Sequence, residues 1–473
     1  MQTQCSFSKM ELEGVGRRKI EADFSGGQIS SDGGGLLLRE VDRRLRLTER
    51  LAACFTDHRK PDLIDHSVEE LLRQRAYGLA LGYEDLNDHE ALSRDPLLAT
   101  LVGKKDPVGD RRRQKKHKGL PLASASTLGR IERTKADASR ESRYEKVVCN
   151  FGAMGDICVD VFVESFDEAP VYLVLDLDPS DIQLHGNQEQ RFFHGYYDHY
   201  CYLPMYLFCG EYPLAVKLRP ANIDGALGAA EMLAPVVEKL RAAFPGVVLL
   251  IRGDSGFARE ELMSWCEQND LEYLFGMAKN ERLVSSISKQ MEQARRDHLA
   301  TGEPARCYRS FSYRTRESWS RSRRVVGKAE YLDKGENPRF VVTSLPNRLF
   351  EKRYLYEDLY CARGEMENRI KEQQLDLFGT RTSCHTFRGN EVRIWLSVTA
   401  HLLVVGLRRV GLVGTELARA QASTLRVKLF KIGAQVAVSV RRVYIQLSTA
   451  YPLKELFASV IERLRSPPLN ATA

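Results

Sequence analysis

The spacing of apolar positions divides the chain into three textures. Up to about residue 150, segments such as Gly35–Leu47 and Val68–Leu81 repeat apolar residues every three or four positions. That spacing predicts amphipathic helices in a mostly helical first region, residues 1–150. Near residue 170 the pattern changes. Val171–Asp178 (VYLVLDLD) and Val247–Phe257 (VVLLIRGDSGF) read as buried apolar strands with polar ends. Tyr200–Pro220 reads as further strands around a Gly-Glu turn and Tyr273–Ala278 as another. Glu231–Phe244 and Arg259–Gln268 read as helices.

Strands mixed with helices predict an α/β core with parallel elements. From residue 304 to 345, CYRSFSYRT, SRRVVGKAEYL and RFVVTSL alternate polar and apolar residues. Half-exposed antiparallel strands do this, so a β-rich insertion over residues 301–350 is expected. From Tyr354 onward the pattern is helical, including Leu425–Leu447. An apolar run near Ile394–Leu407 reads as a core helix, too short and interrupted to span a bilayer. The expected organisation is a helical region (1–150), a core in two parts (165–300 and 351–400) around the insertion, and a helical C-terminal region (401–473).

Composition changes this picture little. Hydrophobic residues make up 43% of the 473 residues, enough for sizeable cores. The net charge of +7 matters only where it is concentrated. The ten cysteines form no CxxC pair and read as mostly buried thiols of a reducing compartment. With no apolar leader at the N-terminus, a cytoplasmic, nucleoid-associated location is expected. Charge concentrates in Lys104–Gly119, KKDPVGDRRRQKKHKG. This is read as a mobile loop in which Arg111, Arg112, Arg113, Lys115 and Lys116 contact DNA phosphates. Ser124–Glu132 follows with an N-cap signal.

Carboxylates stand where chemistry can use them. Asp176 and Asp178 close one apolar strand, Asp254 closes another, and Glu367 lies on a helix. Open α/β sheets gather ligands beyond the carboxyl ends of their strands. Clustered carboxylates hold Mg²⁺ or Mn²⁺, and paired ions serve phosphoryl transfer. Taken singly, an Asp after a strand is a turn residue or cap. Asp176 and Asp178 share strand parity, so either can be the ligand. Tyr360, Arg363, Glu367 and Lys371 lie on one helical face, a salt-bridged surface or a place where Glu367 takes the metal and Arg363 and Lys371 grip phosphates.

These blocks resemble the DDE transposases of the insertion-sequence 1380 family. Asp176–Ser180 with His185–Gln188 (HGNQ) resembles the first catalytic block, and Gly253–Phe257 (GDSGF) the second. Tyr360-x-x-Arg363-x-x-x-Glu367 resembles the YREK block of the wider hairpin-forming group. Thr382–Arg393, Leu425–Ala434, Ser30–Leu38 and Ser124–Glu132 share the family's texture, so the likeness spans nearly the whole chain.

The resemblance implies an RNase H-like catalytic core interrupted by the β-rich insertion. It implies Asp178, Asp254 and Glu367 as the metal triad, with Asp176 the alternative for the first position. Tyr360 and Arg363 would contact DNA near the cleaved end. Where the family expects a Lys, Gln374 stands, and Lys371 one turn earlier is the candidate substitute. Trp319 either holds a flipped base, as a Trp does in relatives, or packs on its own sheet. The implied activity is Mg²⁺-dependent cut-and-paste transposition on inverted-repeat DNA by a homodimer. A metal-dependent nuclease and an inactive DNA-binding descendant are the alternatives.

Overall fold

The segment YLVLDLDP forms a strand, Tyr172–Pro179, at the heart of a nine-stranded mixed sheet in the computed structural model, which describes residues 9–466. We number the strands of this sheet β1 (Tyr172–Pro179), β2 (Met205–Cys209), β3 (Tyr212–Lys217), β4 (Val248–Gly253), β5 (Glu272–Met277), β6 (Ala305–Tyr313), β7 (Arg323–Leu332), β8 (Gly335–Glu336) and β9 (Arg339–Thr343). Their order is β3-β2-β1-β4-β5-β9-β7-β6, with β8 paired to β7. β2 and β3 form an antiparallel hairpin beside β1, whereas β4 and β5 run parallel to β1. Apart from Asp176, Asp178 and Arg252, β1 and β4 are mainly apolar because both sheet faces are covered, as parallel strands require.

The alternating segments after residue 304 are strands, as their period predicts. They continue the central sheet, antiparallel, from β5 through β9, β7 and β6. Helix Ala229–Ala243 leads from β3 to β4, and Glu260–Gln268 joins β4 to β5. Helix Phe151–Val163 packs on β3, where Phe162 meets Tyr212 edge-on at 5.3 Å.

From Gly35 the N-terminal region holds short and medium helices and one small strand pair, Phe55–Asp57 with Val147–Cys149. Val68–Leu81 forms as its spacing predicts, closed by a reciprocal cap. Ser67 Oγ accepts from the Glu70 amide at 3.1 Å, and Glu70 Oε2 accepts from the Ser67 amide at 2.9 Å. Such a cap contributes about 1 kcal/mol. Two expectations are corrected. Residues 10–22 are a hairpin of strands, Met10–Val15 and Arg18–Ala22, almost wholly exposed, so no one-sided apolar pattern announced them. The stretch Leu425–Leu447 is not one helix: after Arg426–Phe430 the chain turns into strands Ala434–Val438 and Val443–Leu447.

Residues 32–34 meet residues 430–432 from the far part of the chain. Gly33 and Gly34 donate to the carbonyls of Ile432 (2.8 Å) and Phe430 (3.0 Å). Lys431 Nζ reaches Asp32 Oδ1 at 2.6 Å. A Cβ on Gly34 would lie 1.7 Å from the Leu429 carbonyl oxygen, so only glycine permits this approach.

Phe387–Gly406 is the longest helix among the described residues, and it lies against Val68–Leu81 and β3. With the turn that follows, Phe387–Gly411 is long and apolar enough to cross a membrane, more than the run Ile394–Leu407 suggested. Its apolar window is 89% buried, which marks a core helix. The described cysteines form no disulfide, and all but Cys307 and Cys361 are buried. Cys5 lies outside the described residues.

Candidate active site

Asp178 lies near the carboxyl end of β1, opposite Tyr206 of β2. Asp254 follows β4 directly and caps the short turn Ser255–Phe257, accepting from the Gly256 amide at 2.8 Å. Phe257, fully buried, anchors that turn. Glu367 lies on helix Arg363–Lys371, which packs against β1. A π-helical turn precedes this helix (Leu355–Tyr360) and another follows it (Glu372–Asp376). Such widened turns shift the register of the side chains beyond them and recur at functional sites.

The common neighbour of these carboxylates is Arg363. Its Nη1 donates to Asp178 Oδ1 at 3.1 Å, and its Nη2 meets Glu367 Oε1 at 2.5 Å. Burial opposes its charge, but Asp178, Glu367 and Asp254 outweigh that and raise its pKa. Asp178 is pushed up to about 7, first by burial and then, against the pull of Arg363, by the charges of Asp254, Glu367 and Asp176. Arg363 alone does not offset burial and three neighbouring carboxylates. As placed, no three His, Cys, Asp or Glu side chains among the described residues converge on one metal position. The converging group is a guanidinium. The donor set, hard carboxylate oxygens short of positive charge, suits Mg²⁺ or Mn²⁺.

Asp176 behaves differently. Arg252 of β4 grips it with two bonds, Nε to Oδ1 at 2.6 Å and Nη2 to Oδ2 at 2.8 Å, and both side chains are buried. Arg252 also donates from Nη1 to the Leu359 carbonyl, tying the first π-helical turn to the sheet. Both carboxylate oxygens of Asp176 are thus engaged. The clue to Arg252 was a lone cation inside an apolar strand, which must find a buried partner.

Tyr360 closes the site from above β5. A Cβ on Gly276 would lie 2.5 Å from the Tyr360 hydroxyl and 2.9 Å from the Ser255 nitrogen. Gly276 therefore lets Tyr360 and the Asp254 turn share one place. Its only sequence signal was a glycine inside a strand, a mark of close backbone approach. Burial raises the Tyr360 pKa and the Asp254 charge adds to this, partly offset by Arg363.

Gln374, at the position where the pattern expects Lys, is buried and exchanges hydrogen bonds with Ser180 just past β1, at 3.1 and 3.3 Å. Lys371 is exposed on the same helix. Neighbouring Glu372 is buried and held by Arg408, Arg369 and the Ala422 amide, which fixes the helix end.

The other predicted residues lie elsewhere. Trp319 is 4% exposed: it meets Tyr313 edge-on at 5.8 Å and lies under Arg323 at 5.5 Å. Here it packs on its own sheet and has no free face for a base. Arg323 itself is committed to Glu260 and Glu267. In the basic segment Arg111, Arg113, Lys115 and Lys116 are exposed. Arg112 is turned inward, 3.0 Å from His66 Nε2 and 3.7 Å from Asp65. Lys104 is paired with Glu70 at 2.7 Å. Arg112, Arg113 and Lys116 line a cavity of about 440 Å³ with Arg59, His66 and Arg130. Burial first, then the surrounding cations, push His66 down to about 2.

A mixed sheet that carries carboxylates at neighbouring strand ends and on a packed helix defines an acidic α/β site. The chain belongs to the transposase DDE domain group 1 family, whose model matches residues 12–469. Membership implies use of divalent metal ions. No curated protein matches the chain. Among solved structures it is similar to the piggyBac transposase of a cryo-EM synaptic complex with hairpin DNA, at 11% identity and a TM-score of 0.38, over 93% of this chain and 83% of that one.

Proposed function

We propose that this chain is a cut-and-paste DNA transposase whose metal triad is Asp178, Asp254 and Glu367. In this reading it is one of the insertion-sequence 1380 relatives, and β1–β5 are an RNase H-like core that β6–β9 extend. The order β3-β2-β1-β4-β5, with only β2 antiparallel to β1 and β4, supports that reading. The observation that carries it is the convergence of Asp178 and Glu367 on Arg363, with Asp254 within its field.

Asp178 rather than Asp176 is the first ligand, because Arg252 already satisfies both oxygens of Asp176. Asp176 then fixes the strand ends on which Asp178 and Asp254 sit. Bound Mg²⁺ or Mn²⁺ supplies activation of the attacking oxygen and stabilisation of the leaving oxygen. Arg363 partly offsets the charge of Asp178 and Glu367 and would be available to the DNA phosphates where metal ions hold those carboxylates. Tyr360 holds the cleaved end beside Asp254. The exposed cations Arg111, Arg113, Lys115 and Lys116 add affinity along the DNA backbone without reading sequence. Two copies of the chain bring two ends together, and hairpin formation on the ends belongs to the same reading.

The test is incubation of the full chain with Mg²⁺ and labelled DNA from the ends of its element. Cleaved and joined products are expected. Glu367→Gln should bind the ends and yield neither. Cleavage without joining would make the protein a nuclease, and full activity in Glu367→Gln would remove that residue from the site.

A further inference from the structure

Residues 180–204 leave the central sheet at the end of β1 and return to it at β2. They form a small antiparallel sheet of Ile182–Gln183, Phe192–His194 and His199–Tyr202. Its base is fixed. Ile182, Cys201 and Tyr202 are fully buried, the Ser180 amide donates to the Pro204 carbonyl at 3.1 Å, and Tyr202 meets Phe387 edge-on at 5.2 Å.

Its tip is the reverse. Phe192, Phe193, Tyr196 and Tyr200 are exposed, Tyr196 by 86%. Large aromatics crowded on a solvent-facing turn mark a binding surface. Phe193 and Tyr200 pair across the strands at 5.6 Å, and Arg191 lies over the Tyr200 ring at 4.5 Å. The root of this small sheet adjoins the acidic site: Ser180, two residues past Asp178, exchanges hydrogen bonds with Gln374 just beyond the Glu367 helix. It springs from the strand that carries Asp178, and Tyr197 packs on the cluster of Cys201, Leu203 and Ala221 at its root. Burial and the charges of Asp181, Asp178 and Asp254 together push the Tyr197 hydroxyl up to about 12.

We propose that this aromatic tip is a stacking platform for an unpaired nucleobase beside the phosphate being cut. Strand cleavage at a DNA end exposes bases that have lost their neighbours, and aromatic faces take any base because every base has a π-face. Arg191 adds a cation next to the stack. Trp319, buried in the sheet extension, does not offer this surface. The proposal rests on the DNA-cleaving reading of the neighbouring carboxylates.

The test uses the full chain and a DNA duplex ending in an unpaired 2-aminopurine, whose fluorescence falls when it stacks. Binding is followed separately by anisotropy, and cleavage in a separate Mg²⁺ assay. The wild type should quench the probe. The double variant Phe193→Ala/Tyr196→Ala should lose the quenching and about tenfold in affinity for the unpaired end. It should hold fully paired DNA as before and unfold at the wild-type temperature. Tyr196→Phe should keep the quenching.

If the double variant quenches like the wild type, or if its only change is in oligomeric state, the platform is not there. If the wild type binds and cleaves DNA without quenching, the platform fails and the DNA reading stands. If the wild type neither binds nor cleaves DNA, both fail.

Discussion

The acidic cleft and the basic segment Lys104–Gly119 are both concentrations of one charge, and they treat it in opposite ways. In the cleft, Arg363 is shared between Asp178 and Glu367, and Asp178 is still pushed up to about 7. Burial and the neighbouring carboxylates together outweigh what Arg363 offsets there. In the basic segment part of the charge is used internally: Lys104 on Glu70 and Arg112 on Asp65 and His66. A charge run in a sequence says where charge is. Only the contacts say how much is left for a ligand.

The largest expected effect lies in the cleft. Asp178→Asn and Glu367→Gln should each lower DNA cleavage by roughly a thousandfold or more, since a lost metal ligand removes several kcal/mol of transition-state stabilisation. Gel assays on labelled ends measure this, and a change below tenfold would put the site elsewhere. Next comes the pair that looks equivalent in sequence. Asp176→Ala leaves Arg252 buried and unpaired, which should cost about 3–5 kcal/mol in urea unfolding. Asp178→Ala should cost far less. Equal costs would erase the distinction between the two aspartates.

Gly276→Ala forces a methyl against the Tyr360 hydroxyl and the Asp254 turn. It should cost about 1–3 kcal/mol, with cleavage falling while end binding persists.

The pH dependence follows from the raised Asp178. Above about pH 7 its carboxylate is free for a cation. Below that a proton competes, so Mn²⁺ affinity by calorimetry should fall by up to about tenfold per pH unit as the pH drops. Affinity flat from pH 8 to 5 would contradict this.

The smallest effect belongs to the basic segment. Neutralising Lys115 or Lys116 should reduce the slope of log affinity against log salt by about one each. Neutralising Lys104 should lower stability instead, because its charge already serves Glu70.

How much was legible follows the same division. Val68–Leu81 and β1 were readable because one repeats apolar residues at helical spacing and the other is a short apolar run broken only by Asp176 and Asp178. The strand-end places of Asp178 and Asp254 and the helical place of Glu367 were legible in the sequence. The partner of Asp176 was not, since Arg252 is remote in sequence and only the parallel register of β1 and β4 brings the two together. The strands Ala434–Val438 and Val443–Leu447 carried a period-two signal, AQVAV and VYIQL, beside a helical stretch that masked it. The aromatic run RFFHGYYDHY was visible, but nothing in its spacing says that its base is buried and its tip exposed.

The claim that Asp178, Asp254 and Glu367 serve one divalent-cation site is tested most directly by titrating Mn²⁺ calorimetrically into the full chain bound to its end DNA. Asp178→Asn, Asp254→Asn and Glu367→Gln are compared with the wild type. Each single substitution should abolish or severely weaken the same binding event. A variant among the three that binds Mn²⁺ as the wild type does would contradict the shared site.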